Sequence, residues 1–427
     1  MTDANRQETT RKKIAIIGAG ISGLLCGYLL SRRNDVTLFE SEDTIGGHTA
    51  TKLVSTQNGD VAVDTGFIVF NDRTYPDFIK LLSRLGVEYQ KTDMGFSVAC
   101  ERTGFEYSGT SLNGVFAQRK NVFDKSHWRM LKEIVQFNSA CTKLYADNCI
   151  PEEQTLGEYL QLHGYSEKFI HFYILPMVSA IWSSPINIAA TMPLVFFVKF
   201  FHNHGLLTVT QQPQWFTVKG GSHQYLKPLT ENYKDQIFTN CPVLSVTRSA
   251  DAVAVNTQPY GEQLFDEVIF ACHSDQALKL LADPTQKEND ILGAIPYQVN
   301  HVVLHSDIRL LPKLRRAWAS WNYLLLNHGE DNATLTYNMN ILQKLNSETT
   351  FCVSVNANGN VDPEKIYGEY QYSHPVFTRS SVAAQARWSE ISGINRTHFC
   401  GAYWRNGFHE DGVFSAIRVA KALGEMW

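Results

Sequence analysis

Residues Lys12–Glu40 read KKIAIIGAGISGLLCGYLLSRRNDVTLFE, and this stretch decides the fold. It opens with Lys13–Ile17, a short apolar run that predicts a buried parallel strand. Gly18, Gly20 and Gly23 follow in the G-x-G-x-x-G spacing. That spacing provides a tight turn, a close approach of the backbone to a pyrophosphate, and close packing of a helix on the strand. The stretch therefore predicts a dinucleotide-binding βαβ unit.

The rest of the unit supplies the other contacts that a dinucleotide needs. A helix predicted from Ser22 directs its free N–H groups and the positive end of its dipole at the phosphates. Val36–Phe39 is the second strand, and Glu40 at its end is placed to accept hydrogen bonds from an adenosine ribose. Ala19 in the glycine turn and Ser41 beside the acid complete the candidate contacts.

A second glycine pair, Gly46-Gly47, comes soon after the acid and is followed by His48. Such a pair suggests a loop that passes so close to the cofactor that a side chain would clash. Val61–Val69 then returns as a strand that contains Gly66 and Phe67, two further candidate cofactor contacts. Asp64, in the same run, is expected to hold the loop by hydrogen bonds.

Composition bounds the protein class. The chain has 427 residues, 44% hydrophobic and 19% charged, with a formal net charge of −4. This balance is ordinary for a soluble globular protein and gives no reason to expect a nucleic-acid partner. The eight cysteines are scattered without metal-ligand spacing, so we predict no metal site and a reducing, cytoplasmic environment. The polar first eleven residues do not resemble a signal peptide, and no apolar run reaches the roughly 20 residues of a membrane span.

The order of motifs predicts two domains, one of them discontinuous. Strand–glycine–helix units lie at the start, middle and end of the chain, which predicts a Rossmann-like α/β domain built from residues 1–72, 211–290 and 396–427. Residues 73–210 show helical periodicity, with a capping box at Thr155 and Glu158. Strand-like runs recur within residues 291–395. We therefore predict that 73–210 and 291–395 form an α+β substrate domain with a helical insertion.

The C-terminal stretch THFCGAYWRNGFHEDGVFSAIRVAKAL again reads as strand, glycine turn and helix. The strand is expected to end at Gly401, and a loop with Tyr403 and His409 follows. Asp411-Gly412 then leads into a helix predicted from Val413.

These motifs together resemble the flavin-containing amine oxidoreductase superfamily. Over nearly the whole chain, the closer resemblance is to a bacterial branch of predicted NAD/FAD-binding, amine-oxidase-like proteins. Its marks are IGGHTA at Ile45–Ala50, VDTGFIVFNDRTYP at Val63–Pro76 and CGAYWRNGFHEDG at Cys400–Gly412. The resemblance implies FAD as the cofactor, with Val413 N–H directed at the flavin O2 edge and Val243 packed against the adenine.

The chain also departs from amine oxidases of that superfamily. The early Gly-Gly lacks flanking arginines, since Thr44 and His48 stand in their places. No cysteine follows the last loop, so the FAD is expected to be noncovalent. Members of the bacterial branch are often encoded near methyltransferases that resemble cyclopropane-fatty-acid synthases. The resemblance thus implies a (methylated) fatty-acyl substrate and a lipid methyltransferase as a partner.

The absence of a second G-x-G-x-x-G suggests that electrons enter from an organic substrate by hydride transfer to flavin N5. His48 and His409 are the candidates for accepting the accompanying proton, with Tyr403 as a further catalytic candidate. The predicted function is an FAD-dependent oxidoreductase that acts on a hydrophobic substrate, of the desaturase or dehydrogenase type. An amine oxidase and a flavin-binding scaffold for a methyltransferase are the alternatives.

The aromatic stretch 172–201 leaves three interpretations open: core packing, a substrate tunnel, or a face that contacts a membrane. Lys313, Arg315 and Arg316 are basic residues that could touch anionic headgroups. Peripheral attachment at the inner membrane therefore stands beside a simple cytoplasmic location.

Overall fold

The structure is a computed structural model that describes residues 11–182, 185–208, 212–326, 333–357 and 359–427. Most of the predicted polar tail, residues 1–10, and the predicted domain boundary at 210/211 lie outside the described residues. The chain divides into two compact units. The first contains the chain up to Gly47 together with Tyr225–Ala294 and Ala383–Trp427, and the second contains His48–Gln224 and Ile295–Val382.

The strands of the described residues are numbered in chain order: β1 Lys13–Ile17, β2 Asp35–Phe39, β3 Thr51–Thr56, β4 Gly59–Asp64, β5 Val69–Asn71, β6 Tyr89–Thr92, β7 Phe96–Cys100, β8 Phe105–Ser108, β9 Trp215–Val218, β10 Ile237–Phe238, β11 Val243–Arg248, β12 Val253–Thr257, β13 Gly261–Phe265, β14 Glu267–Phe270, β15 Tyr297–His305, β16 Trp321–Leu325, β17 Ala333–Asn338, β18 Cys352–Val355, β19 Ile366–Pro375 and β20 Thr397–Phe399.

The helices of the described residues follow the same convention: α1 Ile21–Leu30, α2 Pro76–Leu85, α3 Leu112–Val115, α4 Lys125–Ala146, α5 Leu156–Leu162, α6 Glu167–Phe169, α7 Leu175–Trp182, α8 Ile186–Ala190, α9 Leu194–Asn203, α10 Leu226–Thr230, α11 Ser274–Leu280, α12 Gln286–Leu292, α13 Met339–Leu342, α14 Arg379–Ala386 and α15 His409–Ala422. None of them is both long and apolar enough to cross a bilayer.

The first unit is built on a five-stranded parallel sheet in the order β10-β2-β1-β14-β20. Its central strand β1 is apolar and buried from Ile14 to Ile17, as expected for a parallel strand covered on both faces. Helix α1 joins β1 to β2, so the predicted βαβ unit is confirmed. The strands come from three separate chain segments, which confirms the predicted discontinuous α/β architecture.

The second unit contains a mixed seven-stranded sheet in the order β19-β15-β18-β17-β16-β7-β8. Its strands pair antiparallel except β16 with β7. Among the residues described between 76 and 203 there are eight helices, α2 to α9, where the helical insertion was predicted. The capping box of α5 is confirmed, because Thr155 Oγ1 accepts the Glu158 N–H at 3.2 Å and a Glu158 carboxylate oxygen accepts the Thr155 N–H at 2.7 Å.

The aromatic stretch 172–201 packs largely inside the second unit. From Leu194 to Phe201, every side chain except Val195 and Lys199 is buried. Phe197 lies between rings of its own unit, 5.8 Å from Phe137 and 4.0 Å from Phe201 between centroids. Helix α9 is therefore core, and its aromatic residues do not form a membrane-contacting face.

The two units differ from the predicted domains at their boundaries. By packing, residues 48–72 and the described part of 212–224 belong to the second unit, whereas 291–294 and 383–395 belong to the first. The predicted domains grouped residues by their expected contact with the cofactor, whereas the two units group residues by their packing. The assignment of residues 48–72 to cofactor binding therefore stays a prediction.

Candidate cofactor site

Glycine is needed at the three positions after β1 for different physical reasons. Gly18 has φ +104°, and a Cβ added to it would lie 3.0 Å from the Ala271 carbonyl oxygen. A Cβ on Gly23 would lie only 2.0 Å from the Gly18 carbonyl oxygen, so close packing of α1 requires this glycine. A Cβ on Gly20 would meet no described atom within 4 Å. The protein itself therefore needs Gly18 and Gly23, whereas the open space at Gly20 fits a bound group.

The second glycine pair lies against this loop. Gly46 N–H donates to the Ala19 carbonyl at 2.8 Å. A Cβ on Gly47 would lie 3.3 Å from the Gly20 α-carbon. The structure thus brings both predicted glycine motifs to one place in the first unit.

Glu40 joins these loops and keeps capacity for a ligand. Its Oε2 accepts the Ala19 N–H at 2.7 Å, and its Oε1 accepts the Glu42 N–H at 3.0 Å and the Ser41 hydroxyl at 3.1 Å. A carboxylate has about four acceptor positions, so it can still accept from a ribose hydroxyl. The Cys241 N–H donates to the Glu40 carbonyl at 2.8 Å, which brings the segment leading to Val243 to the same end of the loop.

The N-terminal turns of α1 and α15 meet in the first unit. The Ser22 hydroxyl donates to the Gly412 carbonyl at 3.0 Å, and a Cβ on Gly412 would lie 2.9 Å from Ile21. Both helix starts carry N–H groups and the positive end of a dipole, which favours an anionic group such as a pyrophosphate. Gly412 therefore has a packing reason besides its predicted cofactor contact.

The start of α15 corrects one detail of the sequence interpretation. The helix begins at His409, four residues before the predicted start at Val413. Val413 is its fifth residue, where an α-helix ordinarily uses the N–H for its own hydrogen bonds. The predicted direction of this N–H at the flavin O2 edge was based on a helix start at Val413, and the first-turn amides of His409 and Glu410 occupy that helical position instead.

The loop between β20 and α15 is tightly held and contains one orphaned donor. Gly401 N–H donates to the Ser415 hydroxyl at 3.1 Å, and the Gln385 amide donates to the Tyr403 carbonyl at 2.7 Å. Trp404 is 3% exposed, and its indole N–H has no acceptor among the described residues. A buried N–H without an acceptor costs about 1–3 kcal/mol, so this donor fits a bound group that offers nitrogen or oxygen acceptors.

The two ionisable residues in the first turn of α15 are buried. Asp411 accepts N–H bonds from Phe408 at 2.9 Å and Asn406 at 3.2 Å, and burial raises the pKa of its carboxyl to about 6. The His409 Nε2 lies 2.8 Å from the Tyr225 hydroxyl, and burial lowers the pKa of His409 to about 3. His409 is therefore neutral near pH 7 and poorly suited to hold a proton.

The other candidate residues lie together in the second unit. The His48 carbonyl accepts the Phe67 N–H at 2.7 Å, and a Cβ on Gly66 would lie 2.2 Å from that same oxygen. The partly exposed His48 ring lies 5.3 Å between centroids from both Tyr372 and His374. This histidine is thus part of a small cluster of titratable rings.

Asp64 holds the neighbouring loops, as expected. Its carboxylate accepts the hydroxyl of Thr51 at 2.5 Å, the N–H and hydroxyl of Ser222 at 2.9 Å each, and the Gln343 amide at 3.0 Å. The residue is fully buried, and burial raises its pKa to about 6 in spite of these donors. Asp64 ties β3 and β4 to the segment after Gly220-Gly221.

Sequence reasoning did not find Tyr225, Gln385, Tyr372 or His374. A usable signal existed for the last two, because Tyr370, Tyr372 and His374 alternate along β19 and so share one face of that strand. Tyr225 and Gln385 contact the C-terminal loop from distant segments, and no local pattern marks them.

The fold and the site define an FAD-dependent oxidoreductase. The open face at Gly20, the paired helix starts, Glu40 and the orphaned Trp404 N–H all fit this cofactor. The chain belongs to the flavin containing amine oxidoreductase family, whose match covers residues 21–310.

Individual relatives agree with this family. The chain is 34% identical over 109 residues to a tryptophan 2-monooxygenase of Allorhizobium ampelinum, a match that spans 25% of this chain and 14% of that protein. The fold is similar to cyclohexylamine oxidase from Brevibacterium oxydans, with 14% identity, 97% and 99% of the two chains covered and a TM-score of 0.66. It is also similar to the CLA-producing fatty acid isomerase from P. acnes, with 16% identity, 96% and 98% covered and a TM-score of 0.67.

Proposed function

We propose that this FAD-dependent oxidoreductase removes hydrogen from a carbon–carbon bond of a hydrophobic substrate, a fatty-acyl chain. The observation that carries the proposal is the lining of a small, partly open recess of about 300 Å³ in the second unit, which would take one segment of such a chain. Its apolar lining is formed by Trp182, Ile188, Met192, Pro375, Val376 and Phe377. Its polar lining side chains are Gln298 and His374, and no carboxylate, lysine or arginine is among them. Such a lining suits a hydrocarbon chain better than an ammonium group.

One polar side chain of the recess has a second titratable ring beside it. His374 lines the recess and lies 5.3 Å from the His48 ring. A substrate in this recess would therefore have the titratable rings of His374 and His48 beside it.

A fatty-acyl substrate also agrees with one structural relative, the fatty acid isomerase. An amine substrate has less support within the second unit. Tyr370 and Tyr372 stack with centroids 6.4 Å apart, an arrangement that could hold an ammonium group. However, the Lys52 ammonium already lies 4.7 Å from the centroid of the Tyr370 ring.

When bound, FAD supplies the hydride acceptor for such an oxidation. The protein must then position the acyl chain, exclude water and accept the proton that leaves the neighbouring carbon. Of the two candidate bases, His48 suits this role better, because His409 is buried, neutral and bonded to Tyr225. Tyr403 is buried in the loop after β20 and stays a candidate for contacting the flavin.

The proposal is tested by mixing the FAD-loaded protein anaerobically with candidate substrates and following the visible flavin band. We expect lipids with methylated acyl chains to bleach the band. The same measurement with saturated, unmethylated acyl lipids shows whether the reaction requires the methyl group. Cyclohexylamine and putrescine should leave it unchanged. Bleaching by the amines alone would overturn the acyl proposal in favour of an amine oxidase, and no bleaching by any compound would favour a flavin-binding scaffold.

A preference for methylated acyl chains would also place the reaction after a lipid methyltransferase, which is the partner that we propose. A pull-down from cells that express both proteins tests this association, with the unrelated soluble proteins of the same lysate as the reference. Failure to enrich the methyltransferase would exclude a physical association, and the two enzymes would then be related only through their shared lipid.

His48→Ala should slow flavin reduction by about 100-fold, the lower range for loss of a general base, with FAD content unchanged. His301→Ala is the matched control, because His301 is also a partly exposed histidine of the second unit. Equal reduction rates in wild type and His48→Ala would exclude His48 as the base.

A further inference from the structure

The second unit exposes a group of large apolar side chains beside helix α4. Phe123 is 89% exposed and Leu112 is 80% exposed, and Val122 and Trp128 are also exposed. We call Leu112, Val122, Phe123 and Trp128 the apolar corner. Single exposed apolar side chains are common on protein surfaces, whereas a group of large ones side by side is typical of an interaction site.

Local contacts join these residues into one rigid surface. The Trp128 indole N–H donates to the Val122 carbonyl at 2.8 Å, and the Trp128 ring lies 5.2 Å from Phe116 between centroids. Arg119 donates to the Phe116 carbonyl at 2.8 Å and to Asn113 at 2.5 Å, which ties the turn of Phe123 to helix α3. These four polar or aromatic contacts therefore hold the corner in place without covering it.

The turn before α4 explains why Phe123 points outward. Asp124 caps the helix by accepting the Ser126 N–H at 2.8 Å, and Lys168 fixes the same carboxylate at 2.8 Å. This ion pair holds the pKa of Asp124 well below its usual range. The capped turn places Val122 and Phe123 at the junction of two helical segments, where they meet no core.

Positive charge surrounds the corner. Residues 111–133 contain five exposed cations, Arg119, Lys120, Lys125, Arg129 and Lys132. Of the two acids in this range, Asp124 pairs with Lys168, and Glu133 pairs with Arg129 at 2.9 Å, which leaves four of the five cations without this pairing. The adjoining segment 313–316 adds Lys313, Arg315 and Arg316, all exposed. The turn that carries Arg315 and Arg316 packs against α3, and the Arg316 guanidinium donates to the Ala117 carbonyl at 2.6 Å. This cationic surface contrasts with the formal charge of −4 for the whole chain.

We propose that the apolar corner and its cations dock the protein on an anionic phospholipid bilayer. Exposed Phe, Trp and Leu side chains bordered by Lys and Arg are the combination that buries apolar groups at the headgroup boundary while cations meet anionic headgroups. An acidic protein would explain the cations but not Phe123 and Leu112 at the same surface. The docking concerns binding alone, so it stands or falls independently of the proposed reaction.

The test is cosedimentation of the FAD-loaded protein with vesicles of phosphatidylcholine, or of phosphatidylcholine with about a third phosphatidylglycerol. We expect binding to the anionic vesicles only. Binding should weaken from about 0.1 M to about 1 M salt, because the Debye length falls from about 10 Å to about 3 Å. Equal binding to both vesicle types, or no binding to either, would overturn the proposal.

Two variants separate the apolar from the charged contribution. Phe123→Ser should weaken binding to anionic vesicles about tenfold through lost apolar burial. The double variant Lys120→Ser with Lys125→Ser should weaken it about 25-fold, about fivefold for each cation. These side chains are exposed, so FAD content should not change.

Matched controls come from the first unit. Leu264→Ser removes another largely exposed apolar side chain, and Lys421→Ser removes another exposed cation. Both should bind vesicles as wild type does. The corner is not a membrane-docking surface if Phe123→Ser binds vesicles as wild type does. It is also excluded if wild type does not bind vesicles and the only effect of Phe123→Ser is to convert a dimer into monomers.

Discussion

Replacing Gly20 by Ala separates a glycine that serves the cofactor from one that serves the fold. Gly20 has φ −73°, a conformation that alanine adopts without strain. Its added Cβ would meet no described atom within 4 Å. We therefore expect Gly20→Ala to leave the apoprotein folded, because the lower entropy of its unfolded chain offsets the weaker N-cap that alanine provides for α1.

The cost should appear when FAD binds. If the open space at Gly20 is where the pyrophosphate lies, a methyl group there overfills the site by about 1–3 kcal/mol. Since about 1.4 kcal/mol is a tenfold change, the Kd for FAD should rise roughly 5- to 150-fold. Titration of the apoprotein with FAD, followed by the quenching of flavin fluorescence, measures this change.

Gly23→Ala is the control with the opposite expectation. Its Cβ would lie 2.0 Å from the Gly18 carbonyl oxygen, so the substitution must displace α1 from β1. The thermal midpoint of the apoprotein should fall before any ligand is added. The reasoning is refuted if Gly20→Ala binds FAD as tightly as wild type, or if Gly20→Ala lowers the apoprotein midpoint as much as Gly23→Ala does.

Three further perturbations test buried polar groups. Because the pKa of buried Asp64 is raised to about 6, its protonation stabilises the fold at low pH, and this contribution is lost as pH rises through about 6. The stability advantage of wild type over Asp64→Asn in urea should thus be about 1 kcal/mol larger at pH 5 than above pH 7. Glu288→Gln should cost about 1–3 kcal/mol, because Arg248 loses the charged partner that holds it at 2.5 Å and 2.9 Å but keeps Asp283 at 3.1 Å, and urea unfolding reports the loss. Tyr225→Phe should lower the thermal midpoint, because the buried His409 ring loses its hydroxyl partner at about 1–3 kcal/mol; an unchanged midpoint would show that the ring has another partner.

Local patterns predicted the parts of the site that are local in the chain. The glycine turn, Glu40 and the capping box of α5 each arise from residues within a few positions of one another, so spacing alone reveals them. The start of α15 was misplaced for a related reason. Asp411 lies in the third position of the helix and accepts the Phe408 N–H, whereas the sequence was interpreted with Asp411 just before the helix. An acid before a helix and an acid in its first turn look alike in sequence, since each accepts from a free N–H at the helix start, the N2 or N3 amide in the first case and the N-cap amide in the second.

The remaining site residues depend on contacts that sequence spacing cannot show. Tyr225 and His409 are 184 positions apart, and their hydrogen bond exists only after two separate segments of the first unit assemble. Burial then decides their chemistry, because it lowers the pKa of His409 and so changes a candidate base into a neutral partner. Likewise, His48 acquires its neighbours Tyr372 and His374 only through β19, far along the chain.

The parallel sheet of the first unit also sets an order of events during synthesis. Strand β14 pairs with β20 from Val268 to Phe270, but β20 follows roughly 130 residues later. At about 5–20 residues per second, the edge of β14 stays without its partner for on the order of 10 s. During that interval the whole β15–β19 region of the second unit is made and can fold. Helix α15, which brings its N-terminal turn against α1, emerges later still, so FAD capture is a late event in the life of the nascent chain.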